Sequence, residues 1–436
     1  MAEKKRELWA DYAKGICILL VFIGHSDAIP QAVRIFIYLF HMPMFFFCMG
    51  YYSSTAGTFG AFVKKRFRQL MVPFFAYGIL YHVLCLGIVV PLLRGGADWA
   101  LYRDNILGLL VQLRGTDLVA PKWFLTAAFV ASVLFYALRK YIHDRRIEFP
   151  VVLAASAGFA YLNKFTGFSL PWYIDVAFPC VLFMYLGQHV REKNVEITGK
   201  KTLILTAVGI AAAAGLTLLF SDSPEKYCID YRVIRLTPFV PVMIGGFALC
   251  LALYGALKNV KRKGVLSYIG VNSMLFYLFD NLPELLVKKA MGYIGVTNVY
   301  IVSLCQLIGI LLLTPVIVMF VKYFAWFLFG LKKESWSFDY GKLFRVKKKV
   351  YKQQKAPSDE RAAAEFSTSS NAGRTHASGI FHISHLLKSN SLIKYKRAER
   401  GFYGNYCALS FALSFFPRYC VSPMTNSSTD TTSHVR

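Results

Sequence analysis

Apolar runs about 20 residues long, the length that crosses a bilayer, recur along this chain between short breaks rich in polar and basic residues. They fall near residues 10–29, 33–52, 70–93, 122–138, 149–163, 172–190, 202–220, 236–257, 265–281 and 297–329. In hydrocarbon every backbone polar group must be satisfied within the segment, so apolar runs of this length predict helices. The expected fold is an all-α integral membrane protein, a polytopic bundle of about ten transmembrane helices. Two stretches fit less simply. Residues 105–113 are too short to span and read as interfacial or re-entrant, while 297–329 exceed one span and imply tilt or a break.

Composition agrees with the pattern. Hydrophobic residues make up 56% of the 436, above the usual share for a soluble globular protein. The net charge of +26 reflects basic loops between spans and not a nucleic-acid surface. Loops 4–6, 64–68, 139–146, 191–201 and 258–263 concentrate Lys and Arg, which favours cytoplasmic N- and C-termini in the cell membrane. The start of the chain leads into the first span without a small-residue cleavage site, so no cleaved signal peptide is expected. Two regions follow: a transmembrane domain over 1–336, and a poorly ordered cytoplasmic tail over 337–436, basic and then rich in Ser and Thr. The nine cysteines lack metal-ligand or redox spacing and read as small core residues; no metal site is expected.

Charge inside the apolar runs is the candidate chemistry, because an ionisable side chain at membrane depth is costly. His25 and His41 stand on the first two spans, His41 two residues before Pro43. Neutral imidazole can take a proton near physiological pH. Lys14 precedes His25 by eleven residues, about three helical turns, so both project from one face roughly 16 Å apart along the axis. Each has a plainer reading: Lys14 as a snorkelling cation, His25 as a helix-end residue and His41 as a partner for a carbonyl freed by proline. Arg66 and Arg68 are also simple positive-inside charges, and Trp123 an interfacial belt residue. Asp175 is either a sugar ligand or a loop acid. His82, His143 and His189 lie outside any motif and read as structural.

The segments DYAKGICILLVFIGH, FHMPMFFFCMGY and KKRFRQLMVPFF, in that order, resemble the opening of the acyltransferase-3 family of membrane acyltransferases. The chain is most similar to its sugar O-acetyltransferase branch, that of the fucose 4-O-acetylases. The family's basic residue, ten intervening residues and histidine fall on Lys14 and His25, and its second histidine on His41. Its loop arginine matches Arg66, and its Trp-Phe-Leu motif matches Trp123, Phe124 and Leu125. PWYIDVAFPCVLFMYLGQ, with Trp172 and Asp175, and LSYIGVNSMLFYLFDN, with Gly270, Asn272 and Ser273, extend the resemblance over about residues 8–330. Lys14 stands where many members have arginine, and Asp280 where many have histidine.

The resemblance implies transfer of an acyl group, usually acetyl, from acyl-CoA as co-substrate to a hydroxyl of a carbohydrate or glycolipid of the cell envelope. It implies His25 and His41 as catalytic residues. Lys14, Arg66 and Arg68 would hold the CoA phosphates. Trp123, Trp172, Asp175 and Asp280 would contact the acceptor. Ten spans with buried histidines also suit a transporter or flippase for a glycolipid or small polar solute, although no internal repeat is visible. A membrane scaffold would leave the histidine pair unexplained.

Overall fold

The computed structural model describes residues 7–81, 99–114, 116, 122–142, 144–223 and 226–331. Among these the regular structure is helical, and Asp230 and Arg235 form an isolated antiparallel bridge. Helix α1 spans Leu8–His25 and stops where Ser26 turns to an extended conformation. Its last carbonyls lack helical partners, and the buried Arg34 supplies them: Nε donates to Gly24 O at 3.2 Å and an Nη to Ser26 O at 2.7 Å. Helices α2 (Gln31–Phe40) and α3 (Pro43–Tyr51) together form the second crossing, interrupted at His41 and Met42 because Pro43 has no N–H to continue the ladder.

After a cap in which Thr58 accepts from the Ala61 amide, α4 (Phe59–Arg66) runs through a π-helical turn, Phe67–Met71, into α5 (Val72–Gly78). Then come α6 (Trp99–Val111), α7 (Trp123–Tyr141), α8 (Arg145–Thr166) and α9 (Ile174–Glu192). The remaining helices are α10 (Gly199–Leu219), α11 (Phe239–Leu257), α12 (Val265–Val271), α13 (Ser273–Phe279), α14 (Asn281–Tyr293) and α15 (Val299–Phe324).

The expected all-helical membrane architecture is observed among the described residues. Seven helices among the described residues are long and apolar enough to cross a membrane: 8–25, 31–51, 123–141, 171–192, 199–219, 239–257 and 299–324. The run 265–281 is mostly apolar but breaks at Asn272, whose side chain donates to Tyr268 O at 2.9 Å while its amide bonds back to Tyr268 O and Ile269 O. The run 149–163 lies within α8, whose first turn carries Arg145, Arg146 and Glu148. Glu148 is buried against Arg139 at 2.9 Å and receives the Tyr185 hydroxyl, which neutralises a charge the hydropathy pattern penalises. The run 70–93 begins as the π turn and α5, and its part from 82 onward lies outside the described residues, with His82. Residues 105–113 belong largely to the 13-residue α6, and 297–329 largely to α15, which contains Pro315. The tail from 337, the boundary before it, Lys4–Arg6 and His143 also lie outside the described residues.

Packing distinguishes central from peripheral helices. The crossings 31–51 and 171–192 are 78% and 72% buried, whereas 199–219 and 299–324 are 17% and 22% buried and present their apolar side chains outward. That is the arrangement expected when lipid replaces water around a bundle. The central contacts depend on glycine. A methyl group at Gly15 would overlap the Leu266 carbonyl and one at Gly270 the Asp11 carbonyl, so α1 and α12 touch backbone to backbone. Gly50 and Gly187 do the same for α3 and α9. The close approach of α12 to α1 fixes α13 beside the histidine-bearing end of α1.

Candidate active site

A cavity of about 570 Å³ opens where the C-terminal end of α1 meets the break between α2 and α3, the start of α7, the α13–α14 junction and α15. His25, His41, Trp123 and Asp280 all line it. The two imidazoles are held by the same device. Nδ1 of His25 lies 2.8 Å from Val21 O, and Nδ1 of His41 lies 2.7 Å from Ile37 O, each carbonyl four residues earlier. A carbonyl can only accept, so Nδ1 donates in both. The neutral ring then carries its lone pair on Nε2, the form a general base requires. His25 is exposed to the cavity, whereas His41 is 3% exposed. Tyr38 lies between them, its ring centroid 4.8 Å from His41 and 6.3 Å from His25.

A loop folded from residues 226–238 forms another wall. Its middle is closed by backbone bonds between Asp230 and Arg235 at 3.1 and 2.9 Å, and Arg235 also donates to Tyr227 O at 2.8 Å. Gln31 anchors the neighbouring chain through Phe220 O at 3.3 Å, and Lys226 pairs with Asp27. The Lys226 bond holds the Asp27 carboxyl below the usual carboxylate range. Tyr227, 5.5 Å from Tyr38 and 6.3 Å from His25, completes an aromatic lining. Burial raises the Asp230 carboxyl, against the pull of Arg232, whose amide donates to it at 2.8 Å. Glu284 meets solvent in the cavity but is hemmed in elsewhere, and that desolvation, followed by Asp280, raises its carboxyl too.

Lys14 and Arg66 line a second cavity of about 290 Å³, otherwise mostly apolar, with Phe45, Met49, Leu70 and Phe124 in its walls. Lys14 is paired with Asp11 at 3.0 Å. Arg66 lies 5.3 Å over the Phe62 ring and 3.5 Å from Gln69 Oε1, and its Nε is buried without a hydrogen bond. Met42 and Tyr277 line both cavities and so form their common wall.

The remaining sequence candidates lie elsewhere. Arg68 is exposed and lines neither cavity. Trp172 donates from Nε1 to Leu110 O at 2.7 Å, and Asp175 is buried in a two-pronged ion pair with Arg114. His189 lines neither cavity. Sequence reasoning passed over Lys122, Tyr38, Tyr227, Asp230, Arg232, Tyr277 and Glu284, all of which line the larger cavity. The one available signal was Lys122, a cation abutting the Trp123-Phe124-Leu125 motif.

A family model described as an acyltransferase domain, that of the acyltransferase-3 family, matches residues 7–331. The chain belongs to the acyltransferase-3 family. The match covers all the described helices and both cavities. Nodulation protein NolL of Mesorhizobium japonicum is 27% identical to the chain over 226 residues, 48% of this chain and 55% of that protein. The chain thus spans about half the length of this curated relative. No solved structure matches it. Membership of an acyltransferase family gives the histidine pair a chemical context that a scaffold or a solute carrier would not.

Proposed function

We propose that the protein is an integral-membrane O-acyltransferase that moves an acyl group, acetyl in the simplest case, from acyl-CoA to a hydroxyl of a cell-envelope sugar, polysaccharide or glycolipid. The observation that carries this reading is the orientation of His25 and His41. Both bond backward through Nδ1, and both line one cavity inside an acyltransferase-3 domain.

Chemistry follows from that orientation. The acceptor hydroxyl attacks the thioester carbonyl carbon while a histidine Nε2 takes its proton. The C–S bond then breaks, and the departing CoA thiolate recovers that proton. His25, open to the cavity, is suited to meet the acceptor. Tyr38, Tyr227 and Trp123 offer ring faces of the kind sugars stack on, with Asp230, Asp280 and Glu284 as acceptors for sugar hydroxyls. Lys14 and Arg66 at the smaller cavity suit the phosphates of CoA, with its apolar walls suiting the pantetheine arm. In this reading the Lys14 end faces the cytoplasm, both termini are cytoplasmic and the protein resides in the cell membrane. The donor enters from inside, and the thioester reaches the histidines at the Met42–Tyr277 wall.

The test uses purified full-length protein with labelled acetyl-CoA and an envelope glycan fraction. Label should enter a saccharide. His25→Ala should abolish transfer while its thermal unfolding matches the parent. Full transfer by a folded His25→Ala protein would remove His25 from the mechanism.

A further inference from the structure

Lys122 brings a buried positive charge to the larger cavity, and neither histidine needs it to hold its tautomer. Its backbone adopts a left-handed conformation, φ 63°, immediately before α7. A non-glycine residue held there stores strain, and such strain collects at functional sites. The side chain is 6% exposed and paired with Asp280. An ammonium has three donors. One serves Asp280 and a second points to Asn281 Oδ1 at 3.4 Å; among the described residues the third has no oxygen or nitrogen partner. The Tyr277 and Tyr77 rings, 5.0 and 5.6 Å away, flank the charge and limit its movement. The result is a fixed, incompletely satisfied cation on the wall that also holds both histidines.

Attack on a thioester carbonyl puts negative charge on its oxygen, and a preorganised donor in a water-poor site stabilises that charge. We propose that Lys122 is the oxyanion donor of the acyl-transfer reaction and Asp280 its positioning residue. The inference rests on the acyl-transfer reading. As the new O–C bond forms, the carbonyl π pair moves onto oxygen, which accepts a hydrogen bond from the third Lys122 N–H. The pair returns as the C–S bond breaks and the thiolate takes the proton from the imidazolium. The same oxyanion arises if a histidine attacks first, so the role does not depend on that choice. It also accounts for aspartate at 280, since a carboxylate there neutralises and orients the ammonium.

The experiment compares full-length wild type, Lys122→Met and Lys122→Arg in detergent, with acetyl-CoA and the envelope glycan fraction. The Met variant should lose about 10²- to 10³-fold in kcat, the usual effect of removing one oxyanion donor. Both KM values should stay within about threefold, because the lost contact forms only in the transition state. Lys122→Arg should restore part of kcat, since charge and donors remain. Asp280→Asn should lower kcat less, and adding it to Lys122→Met should cost little more. A folded Met variant with wild-type kcat, or with its loss confined to KM, overturns the proposal. If Lys122→Met does not fold, Lys122→Gln, which can still bond Asp280, is judged by the same criterion. Wild-type protein that transfers no acyl group contradicts the underlying reading, an outcome distinct from a kcat insensitive to position 122.

Discussion

His25 and His41 each spend one ring nitrogen on a backbone carbonyl, and both line the larger cavity. In the proposed mechanism that arrangement supplies the base. It was half legible beforehand: a histidine in an apolar run is conspicuous, but the carbonyl that sets its tautomer is visible only in the fold. Lys14 was legible through its spacing from His25. Lys14→Ala should raise the KM for acyl-CoA several-fold and leave the acceptor KM in place; an unchanged donor KM would remove its proposed role. Asp175 drew attention for the same reason as the histidines, yet its charge is met by Arg114, 61 residues away in sequence. Breaking such a buried pair costs about 3–5 kcal/mol. Asp175→Ala should therefore lower thermal stability sharply, and any protein that folds should keep its acceptor KM. Lys122 went unnoticed because a lysine at the end of an apolar run usually snorkels; only its left-handed backbone and its partner from α13–α14 reveal a buried charge.

At the scale of elements, the two interrupted apolar runs, 31–51 and 265–281, matter most. Pro43 announces the break beside His41 in the sequence, but Asn272 sits in a run whose overall hydropathy is that of one continuous helix, and hydropathy alone does not show two half-helices there. What fixes the second break in space is the backbone contact of Gly15 and Gly270. Larger side chains at this seam must push α12 away from α1, at about 1–3 kcal/mol for an overpacked contact. Gly270→Leu should lower the unfolding temperature. It should also reduce kcat through the displaced α13–α14 junction that carries Asp280, and unchanged activity would show that this seam does not position the site. The loop over 226–238 was the least legible element. It has no periodicity, and its shape comes from the Asp230–Arg235 pairing and from anchors to Asp27 and Gln31 in the α1–α2 region.

Two of the cavities among the described residues meet on α1: Lys14 reaches the smaller of the pair and His25 the larger, with Met42 and Tyr277 lining both. The proposed acyl-CoA donor and sugar acceptor differ in chemistry, one phosphorylated and thioester-linked, the other hydroxylated. Separate chambers meeting at a thin wall would let both approach the same base from opposite ends. The most direct measurement is mass spectrometry of an envelope glycan incubated with purified protein and acetyl-CoA. The account predicts one added acetyl group per modified sugar with wild type and none with folded His25→Ala. Acetylation of equal extent with the alanine variant would contradict it.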